Sequence, residues 1–233
     1  LATTLNPAAP VIGAAVLGLV FVSAFALHPT AQTGTAAVGA ARPEQAPARE
    51  LFRPRVLAPV VGALGMGLFF GAMLTSLTAF MAERGVPEQA GLVYGAMGIG
   101  SAALALGVAL FPARFTLRAR WLTFASILVA GTIALPFVGS IGAIAICLLV
   151  IGVGIGPTLV SQYSLAAAFS PRGRSATVMT MLGSAIVVGQ SAASALTGLV
   201  ADAAGAGTAL VAPLLAASVV LGAGVWNAFA SRH

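Results

Sequence analysis

The sequence predicts an all-α, polytopic helical membrane protein, and three observations carry that prediction. Of its 233 residues, 59% are hydrophobic and only 7% charged, a balance far outside that of soluble globular domains. The apolar residues gather into long runs. A helix rising 1.5 Å per residue needs about 20 of them to cross a hydrocarbon core about 30 Å thick. The charges fall between the runs, and the positive ones are all Arg: 11 of them against 5 acids, with no Lys in the chain. In lipid an α-helix satisfies its own backbone hydrogen bonds within one segment, and these unalternating runs are read as helices.

Taken in order, the first run, Pro10 to Leu27, is just long enough to span. No basic region or small-residue cleavage site accompanies it, so no signal peptide is expected. Residues 28–55, HPTAQTGTAAVGAARPEQAPARELFRPR, lack periodicity and hold Pro43, Pro47 and Pro54 together with Arg42, Arg49, Arg53 and Arg55. This is expected to be a mobile linker with at most a short surface helix. Val56 to Ala82 spans, Glu83 to Glu88 turns, and Gln89 to Phe111 spans back. A loop from Pro112 to Arg120 carries Arg114, Arg118 and Arg120, and Trp121 to Gly139 spans again. After a tight turn near Ser140 comes a hairpin of two long arms joined by SPRGRS, which holds Arg172 and Arg174; the second arm ends at Asp202. Thr208 to Ala230 is the last span, followed by Ser231, Arg232 and His233. Placing the linker inside puts every Arg but Arg84 on the cytoplasmic side. The positive-inside bias then sets the N-terminus of this segment outside and the C-terminus in the cytoplasm, in a multi-pass protein of the cell membrane.

The hairpin differs from a plain pair of spans in where its polar and small residues fall. In the second arm Thr177, Thr180, Ser184, Ser191, Ser194, Gly198 and Asp202 recur at helical spacing, broken only near Val187 and Val188. A polar stripe facing lipid would be wasteful. In the first arm Gly152, Gly154 and Gly156 lead into Pro157, which lacks an N–H and crowds the preceding turn, so a kink is expected at Gly156 and Pro157. Two faces of small residues at four-residue spacing, Ala63, Gly67, Gly71, Thr75, Ala79 and Ala185, Gly189, Ala193, Thr197, Ala201, suit close helix packing in lipid. Cys147, the one cysteine, lies inside an apolar run and is read as a small buried side chain.

The stretch GVGIGPTLVSQYSLAAAFSPRGRSATVMTMLGSAIVVGQSAASALTGLVAD resembles the tenth and eleventh helices of a major facilitator superfamily transporter, of the drug or sugar efflux-permease kind common in actinobacteria, which implies efflux of a drug-like or sugar-like small molecule. GMGLFFGAMLTSLTAFMAERGVPEQAGLVYGAMGIGSAALALG resembles the seventh and eighth. The resemblance implies an MFS-type six-helix bundle preceded by one transmembrane helix. Residues 1–27 would end an N-terminal half, 28–55 would be the cytoplasmic linker, and 56–233 would form the C-terminal half. It also implies two inverted three-helix repeats, of which the matched spacing of Gly98 and Gly107 with Gly189 and Gly198 is a faint trace. The loop after Gly107 resembles a degraded superfamily loop signature, keeping Arg114, Arg118 and Arg120 but with Ala113 where the signature is acidic.

No Asp, Glu, Lys, Arg or His falls in the middle of a span, so substrate contacts are sought among neutral polar groups. By the resemblance, the seventh and tenth helices line the central cavity, which singles out Thr75 and Ser76 on one and Ser161, Gln162 and Tyr163 on the other. Gln190 and Ser194 on the eleventh complete the wall. Gln162 stands out because a buried amide needs several partners and is costly to leave unpaired. The coupling carboxylate of a proton-driven carrier is expected in the missing half, or at the membrane edge at Asp202 or Glu83, for which Arg84 is a ready ion-pair partner. A wall of hydroxyls and amides without charge suits a lipophilic or weakly polar substrate.

Other classes fit less well. Seven helices in this orientation also describe retinal proteins and receptors, but a chain without Lys cannot form a retinal Schiff base. His28 and His233 lie at helix ends or termini, so neither a membrane-depth hydrolase nor a metal centre is expected; no cofactor and no nucleic-acid partner is expected either. The expected partners are a small-molecule substrate, the bilayer and the N-terminal half of the same transporter. The competing expectation is a stand-alone or truncated, noncatalytic seven-helix membrane protein, half-transporter or receptor-like.

Overall fold

The computed structural model describes residues 9–27, 45–112 and 114–230. Most of the linker (residues 28–44), Ala113 and the tail with Arg232 and His233 lie outside the described residues. The chain divides into two compact units, Leu1–Glu44 and Gln45–His233. The described part of the first is one helix, α1 (Ala9–Leu27).

The second unit opens with a short 3-10 turn, Ala48–Phe52, where the sequence leads one to expect at most a short surface helix. It continues as α2 (Pro54–Glu83), α3 (Ala90–Gly107), α4 (Leu117–Ala134), α5 (Ile141–Phe169), α6 (Ser175–Ala204), the single turn α7 (Ala206–Ala209) and α8 (Val211–Ala230). Six segments of this unit are long and apolar enough to cross a membrane. The helix ends follow from local chemistry. Proline opens α2, where its fixed φ suits the first turn and its missing N–H costs nothing. Thr116 accepts from the Ala119 N–H at 3.3 Å, which starts α4 four residues ahead of Trp121. Ser140 does the same for Ala143 at the head of α5. Gly85, Gly173 and Gly205 close turns with φ of 74°, 70° and 84°, backbone that side-chain-bearing residues rarely adopt. The helix α5 continues through Pro157 as one element, although proline offers no N–H to the Val153 carbonyl.

Packing gives the unit an internal symmetry. Helices α2, α8, α4 and α5 form a square in which each touches the next, and α2 also touches α5; α6 lies along α2, and α3 along α5. Exchanging the first three spans (α2, α3, α4) with the last three (α5, α6, α8) returns the same set of neighbours. The glycines fix the register of this exchange. A side chain on Gly67 or Gly71 would collide with the backbone carbonyl of Ile186 or Gln190, and one on Gly152 or Gly156 with that of Met97 or Ser101. Gly189 lies against the Leu64 carbonyl as Gly100 lies against that of Leu149. In every case the α2 residue and its α5 counterpart are 85 positions apart, and the α3 residue and its α6 counterpart 89. The repeat is therefore real in space, but Gly189 pairs with Gly100. The equal spacing of Gly98 and Gly107 with Gly189 and Gly198 belongs to a different register. The small faces of α2 and α6 do what lipid requires of them, bringing backbones together where no hydrophobic effect drives helices into contact.

The ends of the unit differ in charge. Arg53, Arg55, Arg114, Arg118, Arg120, Arg172 and Arg174 gather at one end, while Glu83, Arg84, Glu88 and Asp202 occupy the other. At the arginine end Leu51 is tucked into a cluster with Val56, Ala63, Ala166, Val178 and Leu182, which binds the last linker residues to α2, α5 and α6. Ala46 completes this attachment: its N–H donates to the Arg172 carbonyl, and its own carbonyl accepts from Arg174 Nε.

Candidate functional site

The seven polar residues singled out by sequence fall into three settings. Ser76 and Ser161 are repeat counterparts, both fully buried, and their hydroxyls donate to carbonyls of their own helices, Met73 at 3.4 Å and Pro157 at 2.7 Å. Gln162 is also fully buried. It lies where α2, α4 and α5 meet: a Cβ placed on Gly62 would stand 2.7 Å from Gln162 Nε2 and 2.5 Å from the Trp121 ring. The Trp121 indole N–H is satisfied by the Val220 carbonyl of α8 at 3.2 Å. Neither polar atom of Gln162 has a partner among the described residues.

Thr75, Gln190 and Ser194 belong to the second setting, the α2–α6 seam. Ser194 Oγ and the Gln190 carbonyl fill the space where a Cβ on Gly71 would stand, while the Gln190 side chain is exposed. Thr75 is half-buried beside Gly198. Tyr163 forms the third setting and packs, half-buried, on the cluster around Leu51.

The polar stripe of α6 is mostly uncovered. Thr177, Thr180, Ser184, Gln190, Ser191 and Asp202 are exposed, and α6 is the least buried of the six spans. Thr180 donates back to the Ala176 carbonyl at 3.0 Å, but hydroxyls and an amide on an uncovered face of a membrane span, such as those of Ser184, Gln190 and Ser191, cost several kcal/mol each in hydrocarbon when left without a partner.

Sequence inspection missed a second feature on the opposite flank. A cavity of about 340 Å³ opens between α2, α3 and α5, with Phe70 and Ile155 on one side and Tyr94, Gly95, Gly98 and Ser101 of α3 on the other. Phe70 and Ile155 are themselves repeat counterparts, 85 positions apart, so the cavity adjoins the seam about which the two repeats are related. A side chain at Gly95 or Gly98 would meet nothing within 4 Å, whereas Gly100, on another face of the same helix, is pressed on α5. The available signal was Tyr94 and Ser101 two turns apart with glycines between. Glycines in membrane helices are ordinarily assigned to packing. A separate groove of about 260 Å³ lies between α6 and α8 over Leu68 and Ala72, with walls apolar except for Thr197.

The charged residues at the ends have structural duties. Glu83 Oε1 accepts from the Ala206 N–H at 2.8 Å, capping the start of α7. Arg84 lies over the Phe80 ring, 3.9 Å from its centroid, and the one ion pair among the described residues is Arg53–Glu50 at 3.1 Å. Arg120 folds its guanidinium over Phe111 and Phe115 and reaches the Phe111 and Pro112 carbonyls at 3.5 Å, tying down the α3–α4 loop. Arg114 is exposed and Arg118 half-buried. Cys147, half-buried, donates to the Gly131 carbonyl at 3.4 Å across the α4–α5 contact. Among the described residues no group of His, Cys, Asp and Glu could hold a metal.

A membrane bundle made of two three-helix repeats of opposite direction is the internal architecture of secondary transporters. The family model of the Major Facilitator Superfamily matches residues 1–194, and the chain belongs to that superfamily of membrane transporters. No curated protein and no solved structure matches it.

Proposed function

We propose that this chain is the C-terminal half, with the last N-terminal-half helix and the linker, of a carrier that exports a small uncharged solute by alternating access. The boundaries are those of the sequence, 1–27, 28–55 and 56–233. The observation that carries this reading is the exposed polar stripe of α6 on an otherwise apolar bundle. Such a face is stable at membrane depth only against more protein or a water-filled path. An N-terminal half packed beside α6 and α3 supplies both, leaving a solute path over the α2–α5 seam.

In this reading Gln190 and Ser194 border the path directly, with Thr75 and Tyr163 at its margins. Ser76, Ser161 and Gln162 act from within the walls and meet solute only when α2 and α5 shift. Proton coupling, if the carrier is an antiporter, belongs to the other half, because Glu83 is engaged as a helix cap and Asp202 sits at the membrane edge. The arginine end faces the cytoplasm of the cell membrane, drawn there by the positive-inside bias.

The test is export of the neutral dye Nile red from cells making the full carrier, with and without a proton ionophore. Energy-dependent export that Gln190→Leu and Ser194→Ala together reduce at least fivefold is the expected result. Equal dye accumulation with and without the carrier overturns the reading.

A further inference from the structure

We propose that the cavity between α2, α3 and α5 is a binding subsite for an uncharged aromatic compound bearing a hydrogen-bond-accepting oxygen. The inference deepens the carrier reading above and rests on it for its biological meaning, although binding can be measured without transport.

The first argument comes from the hydroxyls. Ser76, Thr78, Thr158 and Ser161 of the central helices donate to carbonyls three or four residues back. Tyr94 and Ser101 make no hydrogen bond among the described residues, as is also true of Thr75 and Tyr163, but Tyr94 and Ser101 are the hydroxyls that line the cavity. They stand seven residues apart on one face of α3, about 10 Å along its axis. At membrane depth two free hydroxyls are two open requests for a partner, and each can donate to an oxygen acceptor.

The second argument is shape. Between the two hydroxyls the floor is Gly95 and Gly98, whose missing side chains leave open space, and the facing wall is Phe70 with Ile155. An aromatic ring laid on the glycine floor meets the Phe70 ring across the cavity, an arrangement favourable beyond simple burial. A volume of about 340 Å³ is at the small end of ligand pockets.

The third argument is charge. No ionisable side chain other than the Tyr94 phenol lines the cavity, so an ion entering it would lose its hydration without recompense. The groove between α6 and α8 serves as the internal comparison. Apart from Thr197 its walls are apolar, and it suits a hydrocarbon chain of the surrounding bilayer.

The experiment is photolabelling with benzophenone, a neutral aromatic ketone, of the purified chain in phospholipid nanodiscs, read by peptide mass spectrometry. Label concentrated on α3 is expected. Gly98→Leu, which fills the cavity without displacing a neighbour, lowers it at least tenfold, and Tyr94→Phe with Ser101→Ala lowers it about fivefold, as loss of one net hydrogen bond implies. Gly142→Leu, also in open space, leaves it unchanged, and the anionic congener 4-benzoylbenzoate labels α3 at least tenfold less. Label spread evenly over all spans, label concentrated in the α6–α8 groove, persistence in Gly98→Leu, or equal labelling by the anion each overturns the proposal. Dye export without α3 labelling sinks the subsite and spares the carrier reading; α3 labelling without export does the reverse.

Discussion

Replacing Gln162 by Leu is expected to stabilise the protein. The amide is fully buried, and neither its oxygen nor its nitrogen has a hydrogen-bond partner among the described residues. A buried polar group in that state costs about 1–3 kcal/mol. The fold itself indicates that an aliphatic side chain fits: the repeat counterpart of Gln162, 85 positions earlier, is Leu77, and it too is buried, at 1% exposure. For a domain of this size each kcal/mol moves the melting temperature by about 2–4 °C, so Gln162→Leu should melt about 2–12 °C higher. The measurement is thermal unfolding of both proteins in the same detergent, with Leu77→Gln as the mirror experiment, expected to lower the melting point by a similar amount. A fall of several degrees for Gln162→Leu would refute the reasoning, because it would mean that the amide holds a water or another group that the leucine cannot. If Gln162 also serves transport, the stabilised variant loses export, the usual exchange of function for stability at a strained site.

Three further outcomes follow from the packing. Gly71→Leu should unfold or split the α2–α6 pair, because its side chain points into the Gln190 carbonyl; overpacking of this kind costs about 1–3 kcal/mol even where the backbone can yield, whereas Gly142→Ala, facing open space, should leave the melting temperature unchanged. Glu83→Ala removes the acceptor for the Ala206 N–H and should cost about 0.5–2 kcal/mol, with Glu83→Gln recovering most of it in the same melting assay. Arg174→Ala frees the Ala46 carbonyl; hydrogen exchange at the linker end, Ala46 to Leu51, should quicken about fivefold, as loss of about 1 kcal/mol implies, and unchanged exchange would show that the Leu51 anchor holds that segment alone.

The sequence by itself determined the class and the order of spans. Hydropathy is a property of segment length and composition, and six of the runs it marks reappear as membrane-length helices, with ends shifted by a few residues, in some cases by a cap or a proline, as at Thr116 and Pro54. The four-residue spacing of small residues in α2 and α6 also foretold a close backbone contact, since only small side chains permit it. What sequence could not supply was which polar residues face the bundle and which face a cavity. In lipid the outer surface is as apolar as the core, so a helix carries no hydrophobic stripe to reveal its buried side. Ser76, Ser161 and Gln162 were therefore singled out, and Tyr94 and Ser101, also polar residues of a span, were passed over. Tertiary packing alone turned the first three into the bundle and left the other two lining a cavity. The register of the internal repeat was decided in the same way. Equal spacings such as those of Gly98 and Gly107 with Gly189 and Gly198 are common in glycine-rich helices, and only the carbonyls pressed against Gly100 and Gly189 single out the pairing that the fold uses.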